Sequence, residues 1–397
     1  SLVDSINVLL INIFSALATG GAVVCGQFLG KRQPKRACMA ADQLVLFTTG
    51  LAVIVMAAVY LCRGWILHTI FGKIEPDVMR QANTYILIVT ASIPFIALYN
   101  SGAALFRTMG NSKISMLTSL LMNGVNIIGN AIMIFGLKMG VTGAAVPTLI
   151  SRILAAAVIY ILIRNPQLLV HTSTPAVLKP EAMFIKKILY IGVPNGVENS
   201  MFQLGKILVL SLVSSFGTAS IAANAVGNNI ATFQCLPGIA VNLALITVIS
   251  RCVGAGDYEQ VRYYNRKLLT IAYGFMLLSN AIIFFMLPMI LRIYHLSDVT
   301  YEYARQIILW HGLIAILIWP LSFSIPNTLR AANDVKYTMT VAIVTMWIFR
   351  IGFSYLLGRY FRMGLFGVWV AMTIDWAVRA LLFAIRYRGH RWEKHII

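Results

Sequence analysis

The chain has 397 residues, of which 59% are apolar or aromatic (AVILMFWYC) and only 11% charged, with a mean hydropathy of +0.80. Soluble domains carry roughly 25% charged residues, so composition excludes a soluble globular protein, which has nowhere to hide this much apolar surface. The net charge of +19 invites a nucleic-acid reading, which the placement of the charges opposes.

Apolar stretches of about 20 residues, the length of a membrane-spanning helix, recur along the chain. In order they predict spans near 3–28, 43–66, 82–106, 114–136, 142–163, 188–213, 219–249, 268–291, 304–328, 338–358 and 364–385. The first run is too long for a signal-peptide core and has no basic flank before it. The predicted fold is an all-α membrane protein with about eleven transmembrane helices. The connector 164–187, rich in Pro, Ser/Thr and Lys, divides an N-lobe (1–163, five helices) from a C-lobe (188–397, six helices and a short basic tail). Five scattered cysteines form no CxxC pair and give no disulfide framework.

The basic residues fall unevenly about these spans. Of 32 Lys/Arg, 21 lie in the loops 29–42, 107–113, 152–187, 251–267, 330–336 and 386–397, which share one side. Eight lie on the other side, and Lys206, Arg350 and Arg379 fall inside spans. The positive-inside rule then places the C-terminal tail RYRGHRWEK in the cytoplasm of a multi-pass plasma-membrane protein. The charge is a topology signal with some attraction to membrane lipids, and no single basic domain exists to bind nucleic acid. An inside C-terminus after eleven spans leaves the N-terminus outside, which points to a further helix expected ahead of Ser1.

The two halves resemble each other at a nearly constant offset. Gly26 and Gly30 precede Ser250 and Gly254 by 224 residues, and MGVTG (Met139 to Gly143) precedes MGLFG (Met363 to Gly367) by the same interval. Arg107 and Lys113 recur as Arg330 and Lys336 at 223. A shift of six helices makes this a parallel repeat about an axis along the membrane normal, as in some transporter halves.

The segments ALATGGAVVCGQFLGK, ALFRTMGNSK, GVPNGVENSMFQLGK, IAANAVGNNIATF, ISRCVGAGD and TLRAANDVKY resemble the multidrug and toxic compound extrusion (MATE) family along the whole chain. The resemblance implies twelve helices in two six-helix lobes around a central cavity, and efflux driven by inward H⁺ or Na⁺. It also implies that the helix holding the N-lobe coupling carboxylate in several branches lies outside this sequence. Some relatives carry an acid in the ninth span. Here the matching IAILIWPLSF is apolar, with Trp319 near that position.

An ionisable group inside a span is costly and marks function or pairing. Asp4 sits near the outer end of the first span, and only Glu198 and Asp375 lie deep. Glu198 is about eleven residues, or roughly 16 Å, into the sixth span. It follows Pro194, whose missing N–H frees a carbonyl, and Gly192 and Gly196 loosen the same turn. With Asn199, Gln203 and Lys206 it forms a candidate coupling or substrate site, with Na⁺ as a possible occupant of Glu198; the structural alternative is a carboxylate pinning Lys206 or another helix. Asp375 with Arg350 and Arg379 forms a buried charge network that reads first as a structural clamp. Asn224 and Asn228, one turn apart, either line a cavity or bond across helices. Met201, Phe202, Phe233, Met346 and Trp347 offer an apolar wall, and His311 is expected near the membrane interface. Pro147, Pro194, Pro237 and Pro320 mark expected kinks.

No P-loop, HExxH or GxSxG is present, so neither ATP-driven export nor these hydrolase chemistries are expected. The expectation is a non-enzymatic, monomeric antiporter that exports hydrophobic or cationic small molecules in exchange for H⁺ or Na⁺, without another cofactor. Its rivals are a lipid-linked oligosaccharide flippase of the same two-lobe plan and, lower, a non-transporting scaffold or sensor.

Overall fold

The computed structural model describes residues 2–71, 76–173 and 179–394, with backbone alone for 2–5 and 68–71. The Asp4 side chain and residues 174–178 of the connector therefore lie outside the described parts. Thirteen helices follow in chain order: α1 (Leu2–Gly30), α2 (Pro34–Phe71), α3 (Pro76–Ala91), α4 (Ile93–Thr108), α5 (Ser112–Asn130), α6 (Gly140–Ile163), α7 (Ala182–Ser214), α8 (Thr218–Gly254), α9 (Tyr258–Ile293), α10 (Asp298–Phe323), α11 (Ile325–Ala331), α12 (Val335–Thr345) and α13 (Gly364–Arg388). Wider π-helical turns extend α5 over Ala131–Gly136 and α12 over Met346–Gly352 and Ser354–Tyr360. The described residues contain no strand.

Ten helical segments of the described chain are long and apolar enough to cross a membrane. The sixth expected span, α7, has 33 residues, roughly 50 Å of helix, but Asn195, Glu198, Asn199, Gln203 and Lys206 dilute its apolar character. Two spans are broken, each just before a proline. Pro94 cannot donate to the carbonyl four residues back, and α3 gives way to α4 at Ser92; Pro326 does the same between α10 and α11 at Ser324. Large apolar side chains such as Leu61, Phe135 and Phe285 stand exposed, as a surface solvated by lipid requires.

The internal repeat extends to backbone geometry. Left-handed residues recur at the sequence offset: Arg32 with Gly256, Gly110 with Asn333, Lys138 with Arg362, and Gly140 with Gly364. The hydrogen bonds that close the π turns repeat as well, Met139 N–H to Met133 O (2.9 Å) and Met363 N–H to Leu357 O (3.1 Å). A Cβ on Gly143 would meet Met133 and Met139, and one on Gly367 would meet Leu357 and Met363, the same partners 224 residues on. Each MG-x-x-G motif is thus a turn in which the second glycine lets a helix begin against the preceding π turn.

By contacts the chain divides into two compact units, Ser1–Gly196 and Val197–Ile397. The division falls inside α7, later than the connector 164–187 expected from composition. The first half of α7 packs into the N-terminal unit because glycines bring backbones together there. A Cβ on Gly20 of α1 would lie 2.6 Å from Ile188 O and 2.9 Å from Gly192 N. Gly192 therefore serves close helix packing, not the loosening of a turn.

In the N-terminal unit, α1, α2 and α4 enclose a core of Phe14, Leu17, Ala52, Ile93 and Ala97. Arg152, counted above with the cytoplasmic loop charges, is instead buried mid-way along α6 and donates to Ser92 Oγ (2.7 Å) and Asn7 Oδ1 (3.2 Å). The break at Ser92 supplies that hydroxyl. Two adjacent residues of α2 fasten the connector: Asp42 accepts from Ser173 N–H (2.8 Å) and Oγ (2.5 Å), and the Gln43 amide bonds Lys179 O and Glu181 N–H.

In the C-terminal unit, α8, α10 and α13 form the centre, with a core of residues such as Leu212, Ile230, Leu291, Ile307 and Trp369. The basic tail docks on this unit. Trp392 is fully buried, stacked on Tyr387, and Glu393 pairs with Arg262 at 2.6 Å.

Candidate functional site

A cavity of about 460 Å³ opens within the C-terminal unit, lined from α7, α8, α10, α11, α13 and the π turn after α12. It collects most of the polar residues singled out from sequence. Glu198, Asn199, Lys206, Asn228, Arg350 and Arg379 line it, whereas Gln203 does not. Asn224 borders an adjoining space that shares Lys206, Asn228 and Arg350.

Glu198 is paired, and its partner is Arg330 at the end of α11, not Lys206. Arg330 Nη2 lies 2.6 Å from both carboxylate oxygens, and Nη1 donates to Asn327 Oδ1 at 2.8 Å. Arg330 had been read from sequence only as a loop charge. The break before Pro326 turns its short helix so that the guanidinium points into the cavity. Both carboxylate oxygens of Glu198 thus accept from the guanidinium.

Asp375 and Arg379 form the expected clamp, one helical turn apart on α13, with Nε 3.0 Å from Oδ1. Arg379 also donates to Thr345 Oγ1 and Ala342 O, both at 3.1 Å, which ties α13 to α12. Arg350 does not join the pair. It donates to Met372 Sδ at 3.4 Å, and its Cζ lies 4.7 Å from the centre of the Phe202 ring. The Lys206 ammonium lies 5.2 Å from the centre of that ring. Residue counting put Arg350 at the depth of Asp375 but could not show that the π turn carries it to Phe202.

The asparagines separate into two roles. Asn224 is buried and accepts from the Trp369 indole N–H at 3.1 Å. Asn228 spends its amide N–H on the Asn224 carbonyl (2.9 Å) and faces the cavity. His311 is not at the interface. It is buried mid-helix, 2.6 Å from Gln234 Oε1, with Trp369 and Trp376 edge-on. Of the expected apolar wall, Met201, Phe202 and Met346 line the cavity; Phe233 and Trp347 are exposed elsewhere. Trp319, Phe323 and Trp376 complete the wall, with Trp319 stacked on Phe323 at 5.0 Å. Clustering aromatics of α10 and α13 in one register was the available sign. The prolines 147, 194, 237 and 320 all sit inside helices.

The profile of the MatE family matches residues 1–132 and 194–356, about three-quarters of the chain. The chain belongs to the MatE family. Among its relatives is YisQ of Bacillus subtilis, described as an uncharacterized transporter, 27% identical over 97% of this chain and 84% of that protein. Another is a probable multidrug resistance protein NorM of Thermotoga maritima, 24% identical over 84% of this chain and 72% of that protein. Solved MATE structures share the fold at 20% identity. An outward-facing multidrug resistance MATE transporter of the MOP superfamily aligns with a TM-score of 0.89 over 100% of this chain and 88% of that one. A MOP superfamily transporter from Pyrococcus furiosus, described as having a binding pocket of reverse polarity that suggests a different function, aligns at 0.87 over 98% and 86%. The two matched segments fall one in each half of the chain, in keeping with the internal repeat.

Proposed function

We propose that this MatE protein is a secondary active transporter that exports small amphipathic molecules, driven by entry of H⁺ or Na⁺, with the C-terminal cavity as a substrate site. The observation that carries the reading is the cavity itself: charged, amide and aromatic side chains converge from several helices of a membrane-embedded unit. Such groups are costly in a bilayer unless they line a path. The multidrug descriptions of the NorM relatives support efflux, and the plasma membrane with a cytoplasmic C-terminus is the location that the loop charges favour.

The Glu198–Arg330 pair is the proposed coupling element. A proton on Glu198 removes the charge that holds Arg330, and Na⁺ competes with the guanidinium for the same oxygens. Either event releases α11 from α7, a local change of the kind that biases a two-state element. Whole cells expressing the full-length protein test this: they accumulate less dye than control cells, and cells with Glu198→Gln at equal expression accumulate as much as controls. Unimpaired efflux by that variant would remove Glu198 from coupling.

A lipid-linked oligosaccharide flippase is the second reading, and the four basic residues at the cavity favour it. Its volume opposes it: about 460 Å³ suits one drug-sized molecule, not a chain of sugars. Of the hydrophobic or cationic molecules expected, the four basic side chains at the cavity against the one lining carboxylate, Glu198, favour the former in this reading.

A further inference from the structure

The cavity is bordered by four cations, Lys206, Arg330, Arg350 and Arg379. Two carboxylates answer them. Glu198 neutralises Arg330, and Asp375 neutralises Arg379. Lys206 and Arg350 are left, and among the described residues neither has a carboxylate within ion-pair distance. Both lean on one ring, Phe202, from 5.2 and 4.7 Å. Arg350 has only a thioether as side-chain acceptor, a weak partner for a planar group with five N–H donors.

Two like charges bordering one sheltered space repel each other, more strongly as the local dielectric falls. A buried cation with a structural role spends its N–H groups on a counter-charge or on hydroxyl and amide oxygens, as Arg330 and Arg379 do within the same cavity and Arg152 does with Ser92 and Asn7. Lys206 and Arg350 have no such partner among the described residues: Asp375 acts on Arg350 only from beyond ion-pair distance, and the one side-chain acceptor is a thioether. An entering anion relieves the repulsion and gains charge-assisted hydrogen bonds, bidentate at the guanidinium. A cationic substrate meets two unanswered positive charges, and its natural anchor, Glu198, is already held by Arg330.

We propose that the cavity of the C-terminal unit takes an amphipathic organic anion, its carboxylate, sulfonate or phosphate group held between Lys206 and Arg350 and its apolar body against Trp319, Phe323 and Met346. This rests on the transport reading above and names its substrate class. Asn228 adds an amide at the same wall. Arg350 sits in a π turn, a wide helical turn that is frequent at functional sites.

Fluorescein and rhodamine 6G share a xanthene body and differ in the sign of their charge. Their binding is measured by fluorescence anisotropy on the purified full-length protein, and their transport in proteoliposomes. Fluorescein is expected to bind more tightly, and Lys206→Met and Arg350→Met each to weaken it by about tenfold or more, the loss of one charge-assisted hydrogen bond. Rhodamine 6G binding is expected to hold or improve in both variants. Lys206→Arg and Arg350→Lys keep the charge and retain part of the affinity, which separates loss of the anion site from loss of folding. Preferential binding of rhodamine 6G, binding of neither dye, or fluorescein binding indifferent to both methionine variants would overturn the proposal. Fluorescein bound with its predicted sensitivity, but neither dye moved across the vesicles, would uphold the anion site and overturn the transport reading.

Discussion

Arg330 holds both carboxylate oxygens of Glu198 at 2.6 Å through a single guanidinium nitrogen, and so ties the 33-residue α7 to the seven-residue α11. The pair is 10% and 16% exposed, close to the regime in which removing one partner leaves an uncompensated charge. Glu198→Gln is therefore expected to lower stability by at most the ~3 kcal/mol lower figure for breaking a buried pair. Glu198→Gln with Arg330→Gln should recover part of that loss. Thermal melts of the four proteins of this double-mutant cycle in detergent check it; purely additive losses would mean that the two residues do not interact energetically.

The close approach of α1 and α7 at Gly20 and Gly192 has no room for a side chain. Gly20→Ala places a methyl group against backbone atoms of α7, and backbone cannot rotate away as a side-chain end can. We expect a loss of about 1–3 kcal/mol, the usual cost of overpacking, read as a lower melting temperature. Gly274→Ala, at a glycine with open space around it, is the control and should leave the melting temperature unchanged or raise it.

Asn224 and Asn228 are one turn apart but should fail differently. Asn224→Ala strands the buried Trp369 indole N–H and is expected to cost about 1–3 kcal/mol of stability. Asn228→Ala is expected to leave the stability within about 0.5 kcal/mol of the parent, as a change away from buried partners does, and to raise the substrate concentration for half-maximal transport. Equal melts for the two variants would contradict the division of roles.

Asp42 fixes the connector through Ser173. Asp42→Asn loses a charge-assisted contact, and opening of the connector should become easier by about 1–2 kcal/mol. Limited trypsin digestion at Arg164 or Lys186 is then expected to speed up several-fold, with the spans uncut. An unchanged cleavage rate would show that Gln43 alone is sufficient.

The all-helical membrane fold was legible because lipid leaves little choice: each span must be a long apolar helix, and charges must collect in loops on one side. The repeat was legible because turn geometry demands particular residues, as in MGVTG and MGLFG. The candidate site was legible in outline, since a carboxylate as deep as Glu198 is rare enough to notice. Its pairing was not. Arg330 looked like a loop charge, because the break before Pro326 that turns it inward depends on packing. Arg152 and His311 were misplaced for a related reason: an arginine or histidine near a predicted boundary gives no sign of whether it points to water or to a partner such as Ser92 or Gln234. Arg350 and Phe202 lie far apart in sequence, and nothing in the apolar pattern marks the π turn in which Arg350 meets that ring.

The central claim is coupled transport by this protein. Its most direct measurement uses proteoliposomes of the full-length chain loaded with fluorescein, with an imposed pH or Na⁺ gradient and a simultaneous record of ion and dye. Uphill dye movement that consumes one of the two gradients, stops when an ionophore collapses it, and is lost in Glu198→Gln is the predicted result. Dye flux that only runs downhill and ignores both gradients would contradict the account.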